Sequence, residues 1–120
     1  MDYKEIKNIL LSISDPVEKL EMVMDLGKTL ADIPDCANCT EISGCASLVK
    51  ICHSGAQFYG WADSALVRGI VAIIITMVDN KTPNEIKEMD LRQEFASLNI
   101  NLGAGRMNGV NSVISFLQNL

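Results

Sequence analysis

Residues 41–61 read EISGCASLVKICHSGAQFYGW, and this stretch decides the fold class. A turn of small residues around Gly44 and Cys45 separates Glu41-Ile42 from the run 47–51, and Ser54-Gly55 turns the chain again before the aromatic run 57–61. Because β-branched and aromatic residues between turns favour strands, the stretch predicts a small antiparallel meander.

Helical patterns precede this stretch. Apolar residues spaced by three and four predict one helix near residues 2–10. Ser14-Asp15-Pro16 starts a second helix, since proline is favoured in the first helical turn. The apolar spacing continues this second helix to Ile33-Pro34, and residues 34–40 are predicted to form a loop.

Helical patterns also follow the meander. Asp63 or Ser64 caps a buried helix over about residues 65–78. Thr82-Pro83-Asn84-Glu85 is a capping box with proline at the first helical position, which predicts a further helix start. The last helix is predicted from about Arg106 to Leu117.

This order of elements predicts an α+β fold, with a small antiparallel three-stranded sheet packed against helices from both ends of the chain. At 120 residues the chain is long enough to bury a core, and we expect one domain over residues 1–120. A hydrophobic content of 48% with 21% charged residues excludes a disordered chain.

The charge pattern argues against a nucleic-acid partner. The formal net charge is −5 and the ten basic residues are scattered, whereas phosphate binding needs clustered Lys and Arg. An acidic surface suits association with a basic patch of another protein. The most apolar stretch, residues 69–78, is about half of what a membrane span requires, so no membrane partner is expected.

The first residues lack the uninterrupted apolar centre of a secretory signal, and we therefore expect a cytoplasmic protein. In a reducing compartment the four cysteines are expected to be thiols or metal ligands rather than disulfides.

Cys45 is the candidate nucleophile. Gly44 beside it lets the backbone bend tightly, which suits a thiol presented to another molecule. The alternative is an inert buried thiol, because free cysteines are often buried. Cys52, at the end of a predicted strand, is expected in the core, and the lone histidine, His53, in an exposed turn.

A second constellation is a metal site. Cys36 and Cys39 form a C-x-x-C pair that, together with Cys45, offers ligands for zinc or an iron–sulfur cluster. The second ligand pair of an ordinary structural zinc site is missing, because Cys52 and His53 are adjacent and would point to opposite faces of a strand. Cys36 and Cys39 are alternatively resolving thiols for a Cys45 persulfide, or plain loop residues.

The chain resembles the SufE family of sulfur-acceptor proteins over nearly its whole length. The segments 42–49, ISGCASLV, and 62–64, ADS, are similar to its cysteine signature and its aspartate–serine turn. The segments 25–28, 81–86 and 106–110, which read DLGK, KTPNEI and RMNGV, resemble further family motifs in the same order. The resemblance implies a fold like that of SufE and of IscU-type scaffold proteins.

The resemblance also implies a function. Cys45 would accept persulfide sulfur from a pyridoxal-phosphate-dependent cysteine desulfurase of the SufS-like kind, stimulate that enzyme, and pass the sulfur to downstream iron–sulfur scaffold proteins. The chain itself would need no cofactor. Asp63 and Arg106 match family positions near the cysteine loop, and we expect them to hold it by an ion pair or hydrogen bonds. Gly44, Ser47 and Asn108 complete the loop support.

Two departures from the family pattern concern the surface around Cys45. Lys50 stands where the family commonly has tryptophan, and the loop before the active turn is shortened and carries the Cys36–Cys39 pair. The competing functions are a zinc- or iron–sulfur-binding scaffold that uses Cys36, Cys39 and Cys45, and a noncatalytic interaction module.

Overall fold

The computed structural model describes residues 1–44 and 48–120. Over these ranges the chain forms α1 (Tyr3–Ser12), α2 (Pro16–Gly27), β1 (Asn38–Glu41), β2 (Val49–Ser54), β3 (Gln57–Ala62), α3 (Ala65–Val78), α4 (Pro83–Glu88), α5 (Leu91–Ala96) and α6 (Ala104–Gln118). The predicted α+β class with an antiparallel three-stranded sheet is confirmed.

The sheet has the order β1-β2-β3, so β2 is central and β1 is an edge strand. β1 was predicted to begin at Glu41, but it begins at Asn38 and pairs with β2 along its whole length. All four of its residues are exposed. A strand without a buried face has no apolar alternation, so its hydrophobic pattern does not indicate a strand.

The core is built around α3, whose residues 69–75 are all buried. Ser64 caps this helix by accepting a hydrogen bond from the Val67 backbone N–H, so the alternative cap, Asp63, is excluded. α2 crosses α3 so closely that a Cβ on Gly69 would overlap the backbone carbonyl of Val23. Glycine at this position therefore sets the separation of the two helices.

The second helix is shorter than predicted. α2 ends at Gly27, not near Ile33, and the Lys28 N–H closes the last turn onto the Asp25 carbonyl. The apolar side chain of Leu30, which suggested a continuing helix, instead packs against the core from the connection to β1. Helical spacing of an apolar residue does not distinguish a continuing helix from a connection that packs on the core, because the side chain is buried in both.

The helices at the two ends of the chain are held together by polar contacts. Tyr3 and Lys7 of α1 both donate to one carboxylate oxygen of Glu94 in α5, each at 2.7 Å. Lys19 of α2 is buried, and its Nζ donates to the backbone oxygens of Leu98 and Asn99 at 3.1 and 3.5 Å.

The last third of the chain follows the predictions closely. The capping box at Thr82 and Glu85 is formed and starts α4. α6 begins at Ala104, slightly before the predicted Arg106. In residues 1–44 and 48–120, no helix has both the length and the apolar character needed to cross a bilayer.

Candidate functional site

β1 and β2 lead into and out of residues 43–48. Among the described residues, the backbone contact across the two arms nearest to Cys45 in sequence is the hydrogen bond from the Ile42 N–H to the Val49 carbonyl, at 2.9 Å. Both flanking side chains, Ile42 and Val49, are buried and anchor the arms in the core. The predicted nucleophile Cys45 and the predicted support residue Ser47 belong to this segment but lie outside the described residues.

The entrance to the segment rests against α6. Gly44 has a φ of +87°, which side-chain-bearing residues rarely adopt. A Cβ on Gly44 would lie 2.6 Å from the Ser112 Oγ. Glycine is therefore required twice at this position, once for the backbone angle and once for the approach to the helix.

The exit from the segment is held by β3. The Asp63 N–H donates to the Leu48 carbonyl at 3.2 Å, extending the ladder between β2 and β3 by one bond. The side chains of both residues are exposed. Asp63 thus supports the segment through its backbone, a contribution that any residue other than proline could make.

An apolar cleft lies beside the segment, between α3 and α6. It has a volume of about 200 Å³. Val49, at the end of the segment, forms part of its wall. The other lining residues come from the start of α3 and from α6, and they are Ser64, Val67, Ile70, Val71, Gly105, Arg106, Gly109, Val110 and Val113.

The expected ion pair between Asp63 and Arg106 is not formed: the salt bridges among residues 1–44 and 48–120 are Lys7–Glu94 and Lys28–Asp25. Arg106 lies instead in the first turn of α6, at the cleft wall, and it is exposed. The only charged side chain lining the cleft in the described chain is therefore cationic.

Asn108 contributes through its backbone. Its carbonyl accepts a hydrogen bond from the Ser112 Oγ at 3.0 Å, and Ser112 is the residue that Gly44 approaches. The sequence analysis missed Ser112. A helical spacing of four residues from Asn108 would have placed it on the same face of α6.

Cys39 and Cys52 form a disulfide bond. The expectation that all four cysteines are thiols or metal ligands is therefore wrong for these two. They face each other in the register of β1 and β2, a pairing that could not be anticipated while residues 38–40 were assigned to a loop. Cys52 is buried as predicted, with an exposure of 0%, but it lies on the sheet face away from α3.

The disulfide bears on the alternative metal site. While it stands, the Cys39 sulfur has no free thiolate to donate, so the set of Cys36, Cys39 and Cys45 loses a ligand. In the part of the chain that the structure describes, no three His, Cys, Asp or Glu side chains are grouped to hold a metal ion.

Cys36 is an exposed free thiol at the far end of the hairpin. Its Sγ lies 4.0 Å from the Oγ of Ser54, the last residue of β2. The five residue steps from Ser54 to Val49 span about 17 Å of strand. Cys36 therefore lies at the opposite end of β2 from Val49.

Lys50 and His53, which the sequence analysis singled out, both lie on β2. Lys50 is exposed in the middle of the sheet, between Glu41 of β1 and Trp61 of β3. The Arg68 guanidinium lies 5.4 Å from the centre of the Trp61 ring, a cation–π contact. His53 is partly exposed, and its ring is tilted against Phe58 at 6.2 Å.

Comparisons with known proteins show the family of the chain. Residues 4–120 match the family model described as SufE, Fe-S metabolism associated domain. An uncharacterised SufE-like protein of Rhizobium meliloti is 30% identical over 109 residues, covering 81% of this chain and 78% of the relative. The sulfur acceptor protein CsdE of Escherichia coli is 28% identical over 117 residues, covering 90% and 80%.

A solved structure shares the fold. The solution structure of a hypothetical protein from Thermus thermophilus superimposes with a TM-score of 0.71 and 12% identity, over 98% of this chain and 90% of the other.

Proposed function

The chain belongs to the SufE family, and on this premise we propose that it is a sulfur acceptor whose accepting atom is the Sγ of Cys45. The observation that carries the proposal is how the residues on either side of 45–47 are held. Ile42 and Val49 are joined by a backbone hydrogen bond, Gly44 lies against Ser112 of α6, and Val49 lines an apolar cleft. The relative CsdE, named as a sulfur acceptor protein, supports the same role.

The proposed reaction is a transfer of sulfane sulfur. The Cys45 thiolate attacks the outer sulfur of a cysteine persulfide on the donor. The bond between the two donor sulfurs breaks as the new bond to Cys45 forms, and the donor cysteine leaves as a thiolate. No electrons are gained or lost overall, and the rate depends on the thiolate fraction and on access to Cys45.

The proposed donor is a pyridoxal-phosphate-dependent cysteine desulfurase of the SufS-like kind, which holds its own cofactor. Removal of its persulfide regenerates the donor thiol, so acceptance by Cys45 would stimulate turnover. The proposed recipients are iron–sulfur scaffold proteins, and the proposed compartment is the cytoplasm. The net charge of −5 favours a donor with a basic docking surface.

The cleft between α3 and α6 suits protection of the carried sulfur. Its walls are mainly valine, isoleucine and glycine, and such an apolar lining is unfavourable for water and charged reductants. We propose that the segment alternates between a position in which Cys45 lies toward this cleft and an extended position in which it enters the donor. Gly44 is the hinge position, because it already holds a backbone angle that other residues avoid.

Arg106 is proposed to favour the anionic form of the carried group. Its guanidinium is the charged group on the cleft wall, and positive charge near a thiolate lowers the pKa of the thiol. This role replaces the ion pair with Asp63 that was expected from the sequence. This role of Arg106 needs no contact with Asp63.

The proposal is tested by single-turnover sulfur loading. The protein is mixed with a cysteine desulfurase and limiting cysteine, and its intact mass is measured with and without dithiothreitol. We expect a gain of one sulfur atom that the reductant removes and that Cys45→Ser abolishes. Loading of Cys45→Ser at the level of the parent protein would overturn the proposal.

Arg106 is tested by transfer kinetics. We expect Arg106→Ala to slow sulfur loading by about tenfold, the effect of losing one charge-assisted contact of about 1.4 kcal/mol. Cys45 should remain open to alkylation in this variant. Arg92→Ala is the matched control, since Arg92 is also exposed but binds Ser115 away from the cleft. Equal rates for both variants would remove Arg106 from the mechanism.

A further inference from the structure

We propose that Cys36, Cys39 and Cys52 form a second thiol site, at which a low-molecular-weight thiol exchanges with the Cys39–Cys52 disulfide. The thiol enters at the Cys39 sulfur, and Cys36 resolves the product. The chemistry is separate from sulfur transfer to Cys45 and does not depend on it. The argument rests on the contrast in exposure between the two bonded cysteines and on the position of the free one.

The two cysteines of the disulfide differ in exposure. Cys39 lies on the edge strand β1 and is exposed, whereas Cys52 lies on the central strand β2 with an exposure of 0%. β1 covers Cys52 on one side, and Tyr59 of β3 lies opposite on the other. Attack by an external thiol is therefore directed to the Cys39 sulfur, and Cys52 is the leaving group.

The disulfide lies on the outer face of the sheet. Gly60 pairs with Ile51 and faces Val71 and Ile75 of α3, so this face of the sheet is covered by the helix. Side chains alternate along a strand, which places Cys52 on the opposite face. A small thiol can approach there without displacing a helix.

Cys36 is placed to act second. It precedes Cys39 by three residues, in a turn closed by the hydrogen bond from the Ala37 N–H to the Pro34 carbonyl at 3.0 Å. Its Sγ lies 4.0 Å from the Ser54 Oγ, and Ser54 is two residues beyond Cys52 on the same strand. The free thiol is therefore at the same end of the hairpin as the disulfide, in a C-x-x-C spacing known to close intramolecular disulfides.

The exchange has two balanced steps. In the first, the external thiolate bonds to the Cys39 sulfur, the bond between Cys39 and Cys52 breaks, and Cys52 leaves as a thiolate that takes a proton from water. In the second, the Cys36 thiolate attacks the Cys39 sulfur of the mixed disulfide and releases the external thiol. The disulfide moves from Cys39–Cys52 to Cys36–Cys39, and no electrons are gained or lost overall.

The exchange changes how the hairpin is held. The Cys39–Cys52 bond joins residues that are 13 positions apart and encloses the segment 43–48 in a covalent ring. After exchange the ring is open, and β1 is held to β2 by backbone hydrogen bonds alone. The external thiol is regenerated, so its concentration sets how fast β1 is released from its covalent link to β2.

The test uses reduced glutathione as the probe and Cys45→Ser as the parent protein, so that no sulfur transfer is involved. The aerobically purified protein is treated with glutathione, quenched with acid and N-ethylmaleimide, and its disulfides are located by peptide mass spectrometry. We expect a Cys36–Cys39 disulfide with alkylated Cys52. The matched variant also carries Cys36→Ser, a change at an exposed position, and its fold is checked by circular dichroism.

In the variant that lacks Cys36 we expect the reaction to stop at the first step. Glutathione trapped by the quench should then be found on Cys39 at a level about tenfold above that in the parent, because Cys36 no longer removes it and attack by Cys52 only restores the starting disulfide. Glutathione found on Cys52, equal products in the two proteins, or aerobic protein without the Cys39–Cys52 bond would each overturn the proposal.

Discussion

Gly44, which directly precedes Cys45 in the chain, is constrained in two ways. Its φ of +87° and its approach to Ser112 are both incompatible with a side chain. The sequence predicted a turn here, because glycine in a run of small residues lets the backbone bend tightly. It could not predict the partner, because Ser112 is distant in the chain and the two meet only after α6 has packed.

We expect Gly44→Ala to destabilise the protein by about 2 kcal/mol, from the strained backbone together with the contact to Ser112. Gly55→Ala is the matched control, since Gly55 also has a positive φ, +61°, but nothing lies within 4 Å of its added Cβ. The control should lose about 1 kcal/mol. Denaturant unfolding measures both, and equal losses would show that the contact with Ser112 is unimportant.

A second residue-scale prediction concerns Lys19. Its buried ammonium donates to the carbonyls of Leu98 and Asn99, and Lys19→Met would leave these oxygens without that donor. We expect a loss of about 1–3 kcal/mol in the free energy of unfolding. Lys4→Met, at an exposed position of α1, is the control and should be nearly neutral. A neutral Lys19→Met would mean that water replaces the ammonium at no cost.

At the scale of the elements, local sequence patterns predicted the structure correctly where the interactions lie within one element. The capping box at Thr82 and the apolar run of α3 were both predicted and are both formed. Local sequence patterns failed where contact with another element determines the structure. β1 has four exposed residues and becomes a strand by pairing with β2, and the disulfide follows from that register. Removal of the disulfide tests its contribution to the hairpin.

We expect Cys39→Ala with Cys52→Ala to lower the free energy of unfolding by about 3 kcal/mol, the value for closing a loop of about 15 residues. Denaturant unfolding of oxidised protein provides the measurement. The wild-type protein unfolded in excess reductant is the control, and it should lose a similar amount. If the oxidised and reduced proteins were equally stable, the bond would not constrain the chain.

At the scale of the whole molecule, the candidate site depends on packing between distant elements. The cleft needs α3 and α6 side by side, and no local pattern in either helix indicates their neighbour. For this reason the sequence identified Arg106 but paired it with Asp63, whereas the fold places it on the cleft wall.

The fold also joins α1 to α5 through Glu94, which makes the stability of the whole chain depend on pH.

The hydrogen bond from Lys7 lowers the pKa of the Glu94 carboxyl most, and the hydrogen bond from Tyr3 lowers it further. Together they hold this pKa below its ordinary value. The charged carboxylate therefore stabilises the fold above the ordinary glutamate pKa, and this contribution is lost as the pH falls through the lowered one. Because the Glu94 side chain is 37% exposed, we expect the loss to be under about 1 kcal/mol.

Unfolding free energies measured from pH 7 to pH 3 test this expectation. Glu94→Gln should flatten the acid decline relative to the wild type, whereas the exposed Glu88→Gln should not. An acid decline of the same size in Glu94→Gln and the wild type would contradict the assignment.

The most direct test of the sulfur-acceptor assignment is to locate the transferred atom within the chain. After one turnover with a cysteine desulfurase and isotopically labelled cysteine, the protein is alkylated, digested and sequenced by tandem mass spectrometry. The account predicts labelled sulfur on the peptide that contains Cys45 and none on the peptide that contains Cys36. Label on Cys36, or on no cysteine of the chain, would contradict it.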